Sequence, residues 1–195
     1  MGCNLNGVGA GVPPEDRLKV FALVVYIPDP LGAFLDHLRR ELVPLYNPHA
    51  HVSVLPPRPI SGDWREASRQ ARTLTESWEP FEVELTAVDI FPFTEVIYIE
   101  VGGGACELRQ MHTAMNRDAL LFDEPYPYHP HITLAQEVPH EAVPELFNLA
   151  KRRWLEFSAP RTFRVERASF VQNTPPGCWI DLAEYSLGAV ARVRR

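Results

Sequence analysis

The chain is poor in the patterns that mark secreted, membrane-embedded or polyanion-wrapping proteins. Its three cysteines, Cys3, Cys106 and Cys178, are odd in number and widely spaced, which offers neither a disulfide framework nor a zinc-ligand motif. The opening residues lack a basic start followed by an apolar stretch, so no secretory signal is read. Met1-Gly2 is followed by Asn6 where a myristoylation start needs Ser or Thr. No apolar run approaches the roughly 20 residues that cross a bilayer. Positive charge is not in excess: 19 Lys and Arg stand against 25 Asp and Glu, a formal net charge of −6. A protein that wraps a long polyanion carries a basic face, so an extended nucleic-acid surface is disfavoured. The expectation is a cytoplasmic monomer with no membrane partner, able to take a small phosphorylated ligand or the end of a strand.

What is present is an ordinary globular composition, 46% hydrophobic and 23% charged, with an unusual 19 prolines in 195 residues. The Gly-rich segment 1–14 reads as a flexible tail, and 15–195 as a single domain. Leu18 to Ile27 is almost wholly apolar and predicts a buried strand. Asp29-Pro30 predicts a helix start, with Asp29 as N-cap and Pro30 at the first helical position, followed by Leu31, Leu35, Leu38 and Leu42 at helical spacing. Pro56, Pro57 and Pro59 are expected to break regularity. Asp63-x-x-Glu66 is a capping box for a second helix with Trp64, Ala67, Ala71, Leu74 and Trp78 inward. Strands are expected over 81–91 and 95–101, and Gly102-Gly103-Gly104 divides the chain. Helices over 105–120 and 141–157 follow, then strands over 163–172 and 179–187. Halves of about 18–101 and 105–187 repeat one order of elements, and Phe81-Glu82-Val83-Glu84-Leu85 resembles Phe163-Arg164-Val165-Glu166-Arg167. The order implies an α+β fold: two antiparallel sheets, each covered by helices, duplicated about a pseudo-twofold axis.

Two short segments echo each other, His49-Ala50-His51-Val52-Ser53-Val54 and His129-Pro130-His131-Ile132-Thr133-Leu134. Side chains alternate across a strand, so His51 shares a face with Ser53, and His131 with Thr133. Val52, Val54, Ile132 and Leu134 then point into a core. If the two strands meet in a cleft between the lobes, two imidazoles and two hydroxyls converge on one small volume.

At these tetrapeptides, His51-Val52-Ser53-Val54 and His131-Ile132-Thr133-Leu134, the chain resembles the 2H phosphoesterase superfamily. This is the group of RNA 2′,3′-cyclic phosphodiesterases once named for a 2′,5′-RNA ligase activity. The likeness runs from about Leu18 to Leu187. It implies a bilobal fold with both motifs in one cleft, no cofactor and no metal requirement. The implied substrate is a cyclic phosphodiester of a nucleotide or an RNA end.

Imidazole, with an ordinary pKa of ~6.5, can take or give a proton near neutral pH, so His51 and His131 are the candidate acid–base pair, with roles unassigned and exchanging in the ligating direction. Ser53 and Thr133 are the candidate hydrogen-bond donors to phosphate. Arg58, in Leu55-Pro56-Pro57-Arg58-Pro59, is either a guanidinium held over the phosphate or a solvated loop arginine. His49 and His129 either line the cleft mouth beside the catalytic pair or complete a metal site. Phe91, Phe93, Tyr126 and Tyr128 are candidate cleft-border aromatics that stack on a base or simply pack. Lys151-Arg152-Arg153 reads as a solvated helix face. Two other readings stay open: a nucleotide- or RNA-end-binding module without turnover, and a metallohydrolase built on the four histidines.

Overall fold

A computed structural model describes residues 17–44, 49–60, 62–174 and 178–189. The segment 1–14, expected to be a tail, lies outside them. In chain order the elements are β1 (Val20–Tyr26), α1 (Leu31–Leu42), β2 (His51–Pro59), α2 (Trp64–Ser77), β3 (Phe81–Ile90), β4 (Ile97–Val101), α3 (Ala105–Met115), β5 (His131–Ala135), α4 (Val143–Glu156), β6 (Thr162–Val165), β7 (Arg167–Thr174) and β8 (Cys178–Ser186). The strands form two four-stranded sheets, ordered β2-β1-β7-β8 and β5-β4-β3-β6, with every pairing antiparallel. The fold is α+β, as the order of elements implied. Each sheet takes two strands from the first half of the chain and two from the second.

β1 is apolar throughout because both of its faces are covered. Phe21, Leu23 and Val25 enter the main core, while Ala22 and Val24 pack with Val171 on the opposite face. Leu31, Leu35, Leu38 and Leu42 of α1 are all buried, as their helical spacing requires. Helix α1 begins one residue later than expected, with Pro30 at the N-cap, yet the Asp29 carboxylate still accepts a hydrogen bond from the Ala33 amide at 2.9 Å. Asp63 caps α2 by accepting from the Arg65 amide at 3.0 Å. Gly104 precedes α3 with φ +83°, and a Cβ there would lie 2.5 Å from the Glu82 carbonyl oxygen, so only glycine fits. Helix α3 stops at Met115, short of the expected Leu120, and a 3-10 turn over Asp118–Leu120 follows. In the Lys151-Arg152-Arg153 run, Arg153 reaches across to Glu41 of α1 at 2.7 Å.

Three expectations are corrected. The prolines after the first His motif do not end β2, which runs on to Pro59. β2 is an edge strand, so missing amides cost few ladder bonds, and its register with β1 slips between Phe21↔Arg58 and Leu23↔Leu55, where Pro56 and Pro57 sit as the extra length. The single strand expected over 163–172 is two strands: β6 pairs with β3 in one sheet, and past Glu166 β7 pairs with β1 in the other. The similar openings at Phe81 and Phe163 are therefore not symmetry mates. They are neighbours in one sheet, paired Phe81↔Val165 and Val83↔Phe163. The third concerns disulfides, which the cysteine spacing did not suggest: Cys178 is disulfide-bonded, while Cys106 is a free, exposed thiol. Among the described residues no helix is long and apolar enough to cross a membrane.

The cap on α2 is open to direct measurement. Asp63→Ala is expected to lower stability by about 1 kcal/mol in urea unfolding, the usual cost of an N-cap lost to alanine. No change would mean that the Arg65 amide finds water as readily as the carboxylate.

Candidate active site

β2 and β5 are the edge strands of their sheets, and they lie against each other. On each, the sequence alternation holds. Val52, Val54, Ile132 and Leu134 are completely buried, while His51, Ser53, His131 and Thr133 keep part of their surface open. Across the ladder, His51 stands opposite Tyr26 and Ser53 opposite Val24. His131 stands opposite Glu100 and Thr133 opposite Tyr98.

Both imidazoles are held the same way. His51 Nδ1 lies 2.9 Å from the carbonyl oxygen of His49, and His131 Nδ1 lies 2.6 Å from that of His129. A carbonyl can only accept, so Nδ1 must carry the proton in each ring, and in the neutral state Nε2 is left with its lone pair. On His131 that lone pair lies 3.2 Å from the Thr133 hydroxyl, which donates to it. The backbone that presents these carbonyls is itself braced. His49 has φ +78°, a region unfavourable for a residue with a Cβ. The Asp36 carboxylate on α1 holds it there, accepting from the amides of His49 at 3.1 Å and Ala50 at 2.6 Å. In the other lobe the His129 side chain bonds to Glu100 at 2.7 Å.

Both candidate catalytic histidines titrate below the ordinary imidazole value, chiefly because burial penalises the cation. His51 is pushed down to about 4 by burial, with Arg39 and His131 acting in the same direction against the His49 carbonyl and Asp36. His131 is lowered by burial and by His129, and supported upward by the His129 carbonyl and by Glu100. That each charge on His131 is felt at His51 places the two rings in one electrostatic neighbourhood. Aromatic rings wall them in. Tyr26 meets His51 edge-on at 6.3 Å, and its hydroxyl donates to Asp181 at 2.6 Å. Phe91 and Tyr98 stack on each other at 4.0 Å and meet His131 edge-on at 4.9 and 5.4 Å.

The remaining sequence candidates fare differently. Arg58 is not a solvated loop arginine: its side chain is 1% exposed. Its Nε donates to the Pro56 carbonyl at 3.1 Å, its Nη1 to Asn116 Oδ1 at 2.8 Å and to the Leu120 carbonyl at 2.9 Å, and its Nη2 pairs with Glu124. The strand continues where a loop was expected, so alternation turns Arg58 inward. His49 and His129 go to Asp36 and Glu100, and the His49 side chain is 57% exposed. Among the described residues no group of three or more His, Cys, Asp or Glu is arranged to hold a metal ion. Phe93 is 91% exposed in the turn between β3 and β4, and Tyr126 is exposed as well. Tyr128 is half-buried, its ring stacked on His112 at 4.0 Å and its hydroxyl donating to the Ser53 carbonyl at 2.8 Å. Asp36, Glu100, Tyr26 and His112 carried no sequence signal, since each matters only through a partner distant in the chain.

A sequence profile of the 2'-5' RNA ligase superfamily matches residues 27–175, which takes in both histidine motifs. The chain belongs to that superfamily. Its 2H phosphoesterase signature is the pair of tetrapeptides described above. A relative in Oceanobacillus iheyensis, "Putative phosphoesterase OB1230", is 30% identical over 77 residues, 39% of this chain and 45% of that protein. The chain thus matches less than half the length of that relative. Among solved structures, E. coli LigT in its apo form superposes with TM-score 0.62 at 15% identity, over 87% of this chain and 97% of that one. Kluyveromyces marxianus Usb1 with uridine monophosphate superposes with TM-score 0.52 at 13% identity, over 84% and 98%. At such identities the two structures show that the superfamily fold is shared.

Two stability predictions follow from these contacts. Arg58→Ala leaves Glu124 without its guanidinium and is expected to cost about 3 kcal/mol in urea unfolding, as broken buried pairs do. A phosphate-contacting arginine would instead leave stability nearly unchanged. For His51 the folded-state pKa of about 4 lies below the ordinary 6.5. Below pH 6.5 the unfolded chain binds a proton that the folded chain refuses, so stability falls as pH drops from 6.5 to about 4. The His51 contribution is at most about 3 kcal/mol. His51→Gln is expected to flatten that stretch of the pH–stability curve, and an unchanged slope would contradict the assigned burial effect.

Proposed function

We propose that this protein opens a 2′,3′-cyclic phosphodiester of a nucleotide or RNA end, with His51 as general base and His131 as general acid. The observation that carries the reading is the shared Nδ1-to-carbonyl arrangement on two facing edge strands, which turns both Nε2 atoms away from their own backbones. Superfamily membership supports phosphoester chemistry in general terms. Structures of E. coli LigT with 3'-AMP and of Kluyveromyces marxianus Usb1 with uridine monophosphate support a small nucleotide ligand. The net charge of −6 favours such a ligand, or a strand terminus, over a long polyanion.

In this mechanism His51 Nε2 takes a proton from water as the water oxygen bonds to phosphorus. The bond from phosphorus to one ribose oxygen breaks on the opposite side, and His131 delivers its proton to that oxygen. The roles follow from electrostatics. Arg39 and His131 both oppose a proton on His51, whereas Glu100 stands opposite His131 and favours one there. An incoming phosphodiester adds a negative charge that favours protonating one ring. Thr133, which contacts His131 Nε2, can turn its hydroxyl to a non-bridging oxygen once that nitrogen is protonated. Ser53 offers the corresponding donor beside His51. Regenerating the pair needs one proton passed from His51 to His131 through solvent, and the same steps with a 5′-hydroxyl in place of water, breaking the bond from phosphorus to the 3′ oxygen, give a 2′,5′ linkage.

His51→Ala and His131→Ala are each expected to lower kcat for 2′,3′-cyclic nucleotides by about 10²–10⁴-fold, the usual worth of a general acid or base. Wild-type kcat/KM is expected to peak on the acid side of neutrality. It falls as pH rises, because His131 is deprotonated below the ordinary imidazole range, and falls toward pH 4 as His51 takes up a proton. Release of monoester product from a panel of cyclic phosphates measures both. Tight nucleotide binding with no product would favour a binding module instead.

A further inference from the structure

Among the described residues no strand lies beyond the outer edges of β2 and β5, so the sheet ladders do not set how far His51 stands from His131. The Tyr128 side chain reaches across from one strand's approach to the other strand. Tyr128, three residues before His131, donates its hydroxyl to the carbonyl of Ser53, two residues after His51, at 2.8 Å. Its ring lies flat on His112 of α3, with an interplanar angle of 1°. His112 Nε2 is 2.9 Å from Glu124 Oε1, and Glu124 pairs with Arg58, which lies on β2 five residues past Ser53. The side chains of His112 and Glu124 are only 11% and 12% exposed. Segment 121–130, which leads into the second motif, is thus fastened to the strand of the first motif at two points, the Ser53 carbonyl and the Arg58 guanidinium.

We propose that Tyr128 is a positioning residue: its hydroxyl sets the separation of the two imidazoles across the cleft, and the Arg58–Glu124–His112 chain holds its ring in register. The inference rests on the proposed function, because a fixed separation matters only if both rings act on one phosphorus. In-line displacement demands that His51 and His131 reach opposite sides of a single centre, and small misplacements of reacting groups cost rate steeply. The bond is a phenol O–H to a backbone carbonyl, so it leaves the acid–base inventory of the cleft untouched. Burial raises the Tyr128 pKa well above its ordinary value, which keeps the hydroxyl a donor throughout the working pH range.

Tyr128→Phe removes the hydroxyl and keeps the ring on His112. In the full chain, kcat for a 2′,3′-cyclic nucleotide is expected to fall at least tenfold with KM within about twofold. The second readout is a titration with inorganic phosphate followed by imidazole NMR. In wild type, His51 and His131 are expected to shift with one midpoint, as one bridging anion requires. In Tyr128→Phe the midpoint is expected to weaken at least fivefold or to split in two. A variant with wild-type kcat and a single unchanged midpoint overturns the positioning role. Wild type that neither turns over the cyclic phosphates nor shifts both rings with phosphate overturns the proposed function, and the positioning role with it.

Discussion

The site depends on a backbone carbonyl turned back onto an imidazole. A strand that simply ran on would carry the His49 and His129 carbonyls into a ladder. Here each is withdrawn just before its strand begins and accepts Nδ1–H from the histidine two residues later. In the first lobe this takes a left-handed residue at His49, held by the Asp36 carboxylate on two successive amides. In the second lobe the withdrawn residue precedes Pro130, which lacks an amide to donate to a ladder. The result in both is a ring with one tautomer and one orientation. For acid–base work on phosphorus that matters more than raw basicity, since a wrongly oriented lone pair does nothing at any pH.

Placing each motif on a sheet edge follows from the same need. A central strand would put its histidine under two neighbours, with the cleft closed by the sheet itself. An edge strand leaves one side free to meet the opposite lobe, at the cost of unpaired backbone groups and a weakly defined gap. The chain manages the edge in two ways. Prolines in β2 remove amides that would otherwise invite another strand, and segment 121–130 packs against β2 through Tyr128 and the buried Arg58 pair. The interleaving of the halves serves the same end. β7 follows β6 after a single residue yet lies in the other sheet, so the two lobes share a continuous chain rather than a flexible linker.

Much of this was legible in the sequence where the signal was local. The period of two in His51–Val54 and His131–Leu134 set which side chains face the core. The leucines of α1 and the Asp63 cap behaved as their spacing required. What could not be read was pairing. The repeat at Phe81 and Phe163 suggested symmetry and turned out to be a cross-strand partnership, because alternation in a strand says nothing of its neighbour. Arg58 looked like a loop cation because three prolines surround it. Its destiny was fixed by Glu124, 66 residues away. The doubled histidines invited a metal site, but what His51 and His131 take from positions 49 and 129 is the main-chain carbonyl, which no sequence motif announces.

The most direct measurement of the central claim is the tautomer of the two rings. Nitrogen-15 imidazole shifts of the free protein near pH 7 are expected to show both His51 and His131 neutral, with the proton on Nδ1 and a bare Nε2. Free histidine prefers the opposite tautomer, so this result would have to come from the His49 and His129 carbonyls. A proton on Nε2 of either ring, or a charged His51 at that pH, would contradict the account.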